Sequence, residues 1–143
     1  MLHKFLAELN SWLGTPYAHY QYEKKKGADC ALFIADSLKE IGILKKLDYT
    51  YFARFWHMIG NTEVLLNHIN NYIKNNFCEP FTLQEVNNYK IGDLITFKLR
   101  SKLTNHLGVY IGNEMMINSI VNRGVCVTPI FKKRISKIFR IIK

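Results

Sequence analysis

The chain has 143 residues, of which 48% are hydrophobic and 22% charged, and its formal net charge is +9. This composition predicts one globular domain over residues 1–143, with enough apolar side chains to form a core. No apolar run approaches the roughly 20 residues that a membrane span requires. Residues 1–13 lack the apolar block and the cleavage site of a secretory signal peptide, so we expect synthesis in the cytoplasm.

The three cysteines are an odd number without metal-ligand spacing, which argues against a disulfide framework and against a zinc site. We therefore expect reduced thiols, no metal and no cofactor. The positive charge, part of it in Lys24–Lys26, favours anionic partners such as anionic cell-wall polymers. A solvated basic face is the alternative for that run. Nucleic acid is not favoured, because no nucleic-acid-binding motif accompanies the charge.

The first half of the chain predicts helices. An amphipathic helix is expected over residues 1–13, and Gly14 ends it. Pro16 then forces an extended or turn path, and residues 18–28 are predicted to form a polar loop.

A cysteine lies at the predicted start of the second helix. Apolar residues recur at helical spacing after Cys30, and Gly42 ends the run. Asp29 is a suitable N-cap. Cys30 would then lie where backbone amides and the helix dipole converge, which lowers a thiol pKa and favours the nucleophilic thiolate. The alternative is that Cys30 is a small buried hydrophobic residue.

An aromatic segment at residues 49–59 contains Arg54 and His57, and we expect His57 to pack within it. Thr62 is predicted to be the N-cap of a third helix that ends near Asn75. Within this helix His68 falls on an apolar face, which is typical of a core histidine.

From residue 91 the pattern changes to that of strands. The predicted strands are 94–97, 106–111, 114–120, 125–128 and 137–142, with a tight turn at Gly112-Asn113. Asp93 is expected to bond nearby backbone amides in a turn, and the basic stretch before the last strand is expected to be helical. Helices followed by an antiparallel meander indicate an α+β domain.

The predicted hairpin brings two polar side chains together. His106 and Gly108 share one face of their strand, and the hairpin places Asn118 near His106. If the Cys30 helix packs on that face, a Cys–His–Asn arrangement results. In it His106 takes the thiol proton and Asn118 fixes the tautomer and tilt of the ring. Cys78 and Cys126 lack a neighbouring base in the sequence.

These motifs occur in an order that resembles the NlpC-type cell-wall cysteine peptidases, which are compact papain-like enzymes. The motifs that carry the resemblance are Trp12–Tyr17, Gly27–Cys30, Gly92–Leu94 and His106–Gly112. The resemblance covers nearly the whole chain. The Arg54–His57 segment and the closing Arg134-Ile135 and Phe139-Arg140 are similar to the phage-encoded and tail-associated branch.

The resemblance implies a papain-like α+β fold, with the N-terminal helices, including the nucleophile helix, packed on a C-terminal antiparallel sheet. By position it implies that Cys30 is the nucleophile and His106 the general base. Asn118 matches the orienting residue, at a position where many members have histidine. The Tyr17 hydroxyl is implied to form an oxyanion hole with the Cys30 amide. Ala31 and Leu32 stand where the family more often has Ser-Gly, which puts the fit of the substrate in question.

The implied function is a cysteine peptidase that cleaves peptidoglycan stem peptides through a thioester at Cys30. The usual bond in this family joins D-glutamate, through its γ-carboxyl, to diaminopimelate or lysine. Two alternatives stay open, namely an amidase or acyltransferase on the same fold and a non-catalytic phage structural module. Access to the wall would come from a virion tail, with phage tail proteins as partners, from a lysis pore or from dedicated export.

Overall fold

The computed structural model describes residues 1–47 and 62–143. The helices of these ranges are α1 (Leu2–Asn10), α2 (Leu32–Glu40) and α3 (Val64–Asn75). A two-stranded ladder contains β1 (Tyr22–Glu23) and β2 (Gly27–Ala28), and the main sheet contains β3 (Thr82–Val86), β4 (Leu94–Phe97), β5 (His106–Gly112), β6 (Met115–Ile120), β7 (Gly124–Pro129) and β8 (Ile135–Ile142). The aromatic segment 49–59, with Arg54 and His57, lies outside the described residues.

The main sheet is antiparallel with the strand order β3-β8-β4-β5-β6-β7. Helices that precede an antiparallel sheet confirm the predicted α+β fold. Several elements differ from the prediction, among them α1, which ends at Asn10 and not at Leu13. Strand β3 was missed because Leu83 is its one buried side chain, so its alternation is weak. The predicted loop 18–28 contains the short ladder β1–β2, and the basic stretch Lys132–Arg134 forms a single 3-10 turn.

Helix α2 is defined by polar contacts at both ends. The Asp29 Oδ1 atom accepts the backbone N–H of Ala31, just before the helix, at 2.9 Å and that of Leu32, its first residue, at 2.7 Å. Gly42 has a φ of +83°, a backbone conformation that residues with a side chain rarely adopt. The amide of the next residue, Ile43, donates to Leu38 O at 2.9 Å. This pairing is a Schellman motif. Gly42 ends the helix as predicted. Ala31, not Asp29, occupies the N-cap position, and Asp29 instead holds the turn just before the helix.

Helix α3 begins one residue later than predicted. Glu63, not Thr62, occupies its N-cap position. The Glu63 carboxylate does not cap the helix, because it accepts the backbone amide of Thr104 at 3.1 Å. This contact joins the start of α3 to the loop that leads into β5.

Each face of the main sheet packs on its own apolar cluster. Side chains of α1, α2 and α3 share one cluster with Leu107 and Val109 of β5. The opposite cluster is built around Phe97 and Met116, and the ring of His106 lies against it. The helix therefore packs on the sheet as predicted, but on the face opposite His106. The reason is that Leu107 and Val109 supply the apolar surface which α2 buries.

Asp93 serves the predicted turn and also a partly buried ion pair. Its Oδ2 atom accepts the Lys90 amide at 2.7 Å. The Arg140 guanidinium donates to both carboxylate oxygens, with Nη2 2.7 Å from Oδ2 and Nε 3.0 Å from Oδ1. Because Asp93 is buried, this contact ties the turn before β4 firmly to β8.

Candidate active site

His106 and Asn118 lie side by side on paired strands. Asn118 stands opposite Gly108 in the β5–β6 register, which brings its side chain diagonally to His106. The His106 Nε2 atom is 2.8 Å from Asn118 Oδ1, and both residues are buried. Since an amide oxygen only accepts, Nε2 carries the hydrogen, and in the neutral ring Nδ1 is the free acceptor.

The orientation of the Asn118 amide is set by two further contacts. Its Nδ2 atom donates to Thr128 Oγ1 at 3.1 Å and to the Cys126 carbonyl at 3.2 Å. A carbonyl cannot donate, so Nδ2 must face β7 and Oδ1 must face His106. Sequence reasoning missed Thr128, although its two-residue spacing from Cys126 on β7 places both on the same face as Asn118.

The imidazole lies among apolar groups. Its ring centroid is 6.0 Å from that of Phe97 and 6.3 Å from that of Phe131. Burial lowers the pKa of His106 below its ordinary value, and the hydrogen bond that its Nε2 donates to Asn118 opposes this shift. His106 is therefore neutral at neutral pH and can accept a proton.

Cys30 reaches the same end of β5 from the other layer. It lies two residues before the first residue of α2, not in its first turn, and it is partly exposed. The backbone N–H of Leu107, the residue after His106, faces the Cys30 sulfur closely enough to favour its charged form. The thiol therefore lies at the strand end from which the His106 ring projects.

Burial raises the pKa of the Cys30 thiol to about 12, and the neighbouring Asp29 charge raises it further, against the lowering effect of the Leu107 and Cys30 amides. The expectation of a lowered thiol pKa is therefore wrong for the free protein. Loss of hydration at sulfur outweighs the backbone dipoles, and the carboxylate that precedes the helix adds repulsion. The resting thiol is neutral at neutral pH.

Asp29 shapes the segment around the thiol. It is buried, and besides the two amides before and at the start of α2 its carboxylate accepts the Tyr20 amide at 3.0 Å. Burial raises the pKa of Asp29, while these three amides and the nearby His19 lower it. Asp29 thus holds both sides of the turn that presents Cys30.

Tyr17 is attached to the strand that precedes the thiol. It forms a β-bridge with Ala28, and the Ala28 amide donates to Pro16 O at 2.9 Å. The Ala28 carbonyl also accepts Ser119 Oγ at 2.7 Å, which links this strand to β6. Tyr17 is partly exposed, and its bridge partner Ala28 lies two residues before Cys30.

The remaining candidates lie apart from this site. His68 of α3 packs edge-on against Tyr72, with ring centroids 5.0 Å apart, and lines an apolar cavity between helices and sheet. In the Lys24–Lys26 run, Lys24 pairs with Glu8 at 2.7 Å and Lys26 pairs with Glu23 at 3.0 Å. Two of the three lysine charges therefore have acidic partners, which favours a solvated face.

Within the two described ranges, none of the helices is long and apolar enough to cross a bilayer. The same ranges contain no group of three or more histidine, cysteine or acidic side chains that is arranged to hold a metal ion.

The sequence model of the NlpC/P60 family matches residues 14–142. The chain belongs to the NlpC/P60 family. The matched region includes Tyr17, Cys30, His106 and Asn118. A comparison with curated proteins finds no significant match.

Solved NlpC/P60 structures share the fold. The NlpC/p60 domain of the peptidoglycan hydrolase SagA is 18% identical with a TM-score of 0.58, and the alignment covers 96% of this chain and 97% of that domain. The peptidoglycan hydrolase RipB of Mycobacterium tuberculosis is 19% identical with a TM-score of 0.62, over 99% of this chain and 65% of RipB.

RipD of the same organism is described as a non-catalytic NlpC/p60 domain protein adapted to peptidoglycan binding. It is 16% identical with a TM-score of 0.59, over 96% of this chain and 94% of RipD. These similarities do not confirm the phage-encoded branch, which stays a prediction.

Proposed function

We propose that this NlpC/P60 chain is a cysteine peptidase that hydrolyses peptidoglycan stem peptides. The observation that carries the proposal is the buried bond between His106 Nε2 and Asn118 Oδ1, and the Cys30 sulfur is near enough to the neighbouring Leu107 amide for that amide to favour the thiolate. This arrangement leaves Nδ1 as an acceptor at the strand end where the thiol lies. The descriptions of SagA and RipB as peptidoglycan hydrolases support the choice of substrate.

In the proposed reaction the Cys30 sulfur attacks the amide carbonyl while His106 Nδ1 takes the thiol proton. The Cys30 amide and the Tyr17 hydroxyl stabilise the oxyanion of the tetrahedral intermediate. His106 then gives the proton to the leaving amine, and a thioester forms at Cys30. Water, deprotonated by His106, hydrolyses the thioester. Asn118 keeps Nε2 occupied throughout, so that Nδ1 does the proton transfer.

We take the bond that is cleaved to be the amide between the γ-carboxyl of D-glutamate and diaminopimelate or lysine. Such a substrate is anionic, which suits a chain with a net charge of +9. Anionic wall polymers and phage tail proteins belong to the same proposal as partners, with export or a virion as the route to the wall.

Mass spectrometry of purified peptidoglycan digested with the protein tests the proposal. The expected products carry a new amine on the diamino acid and a new free γ-carboxyl on glutamate. Cys30→Ala should abolish them. Cys78→Ala is the matched control, because Cys78 is also a partly exposed free cysteine but lies outside the site. Binding to peptidoglycan without any product would contradict catalysis and indicate a binding module.

A further inference from the structure

A polar cleft of about 410 Å³ opens beside Tyr17, between residues 14–19 and the β6–β7 turn. Its walls are joined by backbone bonds, from Gly14 N to Val125 O at 3.0 Å and from Val125 N to Thr15 O at 2.8 Å. Gly124 has a φ of +77°, and a Cβ there would collide with the Thr15 carbonyl. The close approach of the two walls thus depends on a glycine, and the cleft is a built feature of the fold.

The cleft lies at the same end of the sheet as the candidate active site. Strand β5 begins at His106, and its antiparallel neighbour β6 ends at Ile120, so the β6–β7 turn extends beyond the sheet at that end. On the other wall, Tyr17 is bridged to Ala28, two residues before Cys30. Both walls of the cleft are therefore attached to the end of the sheet at which the chain leads into Cys30.

The charge of the cleft is positive. Arg123 is exposed and lines it together with Tyr17, His19 and Asn122. Within the described part of the chain no carboxylate lines the cleft, and no acidic side chain forms an ion pair with Arg123. The nearby Asp29 carboxylate is already used by three backbone amides. A guanidinium presents paired donors that match a carboxylate.

We propose that this cleft is a substrate subsite for a free carboxylate, and that Arg123 selects stem peptides whose γ-linked glutamate has an ionised rather than an amidated α-carboxyl group. The inference rests on the proposed function, since the glutamyl residue is the acyl group transferred to Cys30. Three carbons of the glutamyl chain separate its α-carboxylate carbon from the acyl carbon bonded to Cys30, and this flexible chain extends toward the adjoining cleft. Amidation removes the charge and one acceptor, and the guanidinium then loses its ionic partner.

The test compares two synthetic stem peptides that differ only in a free or amidated glutamate α-carboxyl. For the wild type we expect a higher kcat/KM on the free form. Arg123→Gln should lower the free-to-amidated ratio about 5- to 50-fold, as expected for a charge-assisted hydrogen bond at a partly solvated site. Arg134→Gln, which removes an exposed arginine outside the cleft, should leave the ratio unchanged. An unaltered ratio in Arg123→Gln, or an equal loss on both peptides, would overturn the inference.

A binding measurement separates this inference from the proposed function. Isothermal titration calorimetry of the uncleaved peptides is carried out with Cys30→Ala and with Cys30→Ala combined with Arg123→Gln. Tighter binding of the free form, lost with Arg123, supports the subsite even if the wild type cleaves neither peptide. Equal binding of both forms by Cys30→Ala overturns it even if cleavage is observed.

Discussion

The bond between Asn118 and Thr128 allows a sharp test of how the imidazole is oriented. Thr128→Val removes the hydroxyl and nearly preserves the shape of the side chain. One hydrogen of the Asn118 amide then loses its acceptor, and because Asn118 is fully buried, water cannot replace it. A buried donor left without a partner costs about 1–3 kcal/mol. The amide keeps only the Cys126 carbonyl, 3.2 Å away.

The rate effect follows from that cost. If the loss is expressed in the reaction step, about 1.4 kcal/mol corresponds to a factor of ten, so kcat should fall about 5- to 150-fold. KM should change little, because Thr128 does not line the cleft beside Tyr17. Thr128→Ser keeps the acceptor and removes one methyl group, so its kcat should stay within about fivefold of the wild type.

The assay pairs steady-state kinetics on a stem peptide with an NMR titration of the His106 imidazole. The Asn118 bond raises the pKa of His106 against the effect of burial. Thr128→Val should therefore lower this pKa further, whereas Thr128→Ser should not. A folded Thr128→Val protein with wild-type kcat and an unchanged imidazole pKa would refute the assigned role of Thr128.

Three further predictions concern Asn118, Cys30 and Arg140. Asn118→Ala should lower the rate on a stem peptide about 10- to 1,000-fold and Asn118→His should retain most of it; a fully active, folded alanine variant would leave only a Cys–His dyad. Alkylation of Cys30 by iodoacetamide, followed by mass spectrometry, should be slow at pH 7 and accelerate above pH 9, since burial raises the thiol pKa to about 12; an inflection below pH 8 would contradict this. Arg140→Gln should reduce the free energy of unfolding in urea by about 1–4 kcal/mol, because it leaves the buried Asp93 without its cation, and an unchanged midpoint would show that the pair adds no stability.

The pairing of His106 with Asn118 could be predicted because it depends on local signals. Two-residue alternation places His106 and Asn118 on candidate faces of their strands. The sequence predicts the turn at Gly112-Asn113, but it lies at Asn113-Glu114, and a register shift between Tyr110 and Gly112 brings Asn118 opposite Gly108. The amide contacts of Asp29 were predictable for the same reason, since they reach only two and three residues ahead, although the N-cap position itself belongs to Ala31. Each of these inferences needs only neighbours in sequence or across one turn.

The face on which α2 packs was not predictable in this way. Both faces of β5 contain apolar residues, and the choice depends on what the other strands place beside them. Leu94 joins Leu107 in the helix-facing cluster, while Phe97 joins the opposite one. Thr128 was missed for a related reason, because its contact with Asn118 needs the β6–β7 register as well as the β5–β6 register.

The ionisation of Cys30 shows most clearly where local reasoning ends. Amides at a helix start favour a thiolate, but hydration lost on folding depends on every layer that covers the sulfur. Here the thiol pKa is raised and the His106 pKa is lowered, so both shifts favour the neutral pair over a thiolate–imidazolium pair. Proton transfer must then accompany attack on the substrate. In the free enzyme, activity should rise as the coupled pair loses its first proton below pH 6.5 and stay level until the thiol ionises above pH 9.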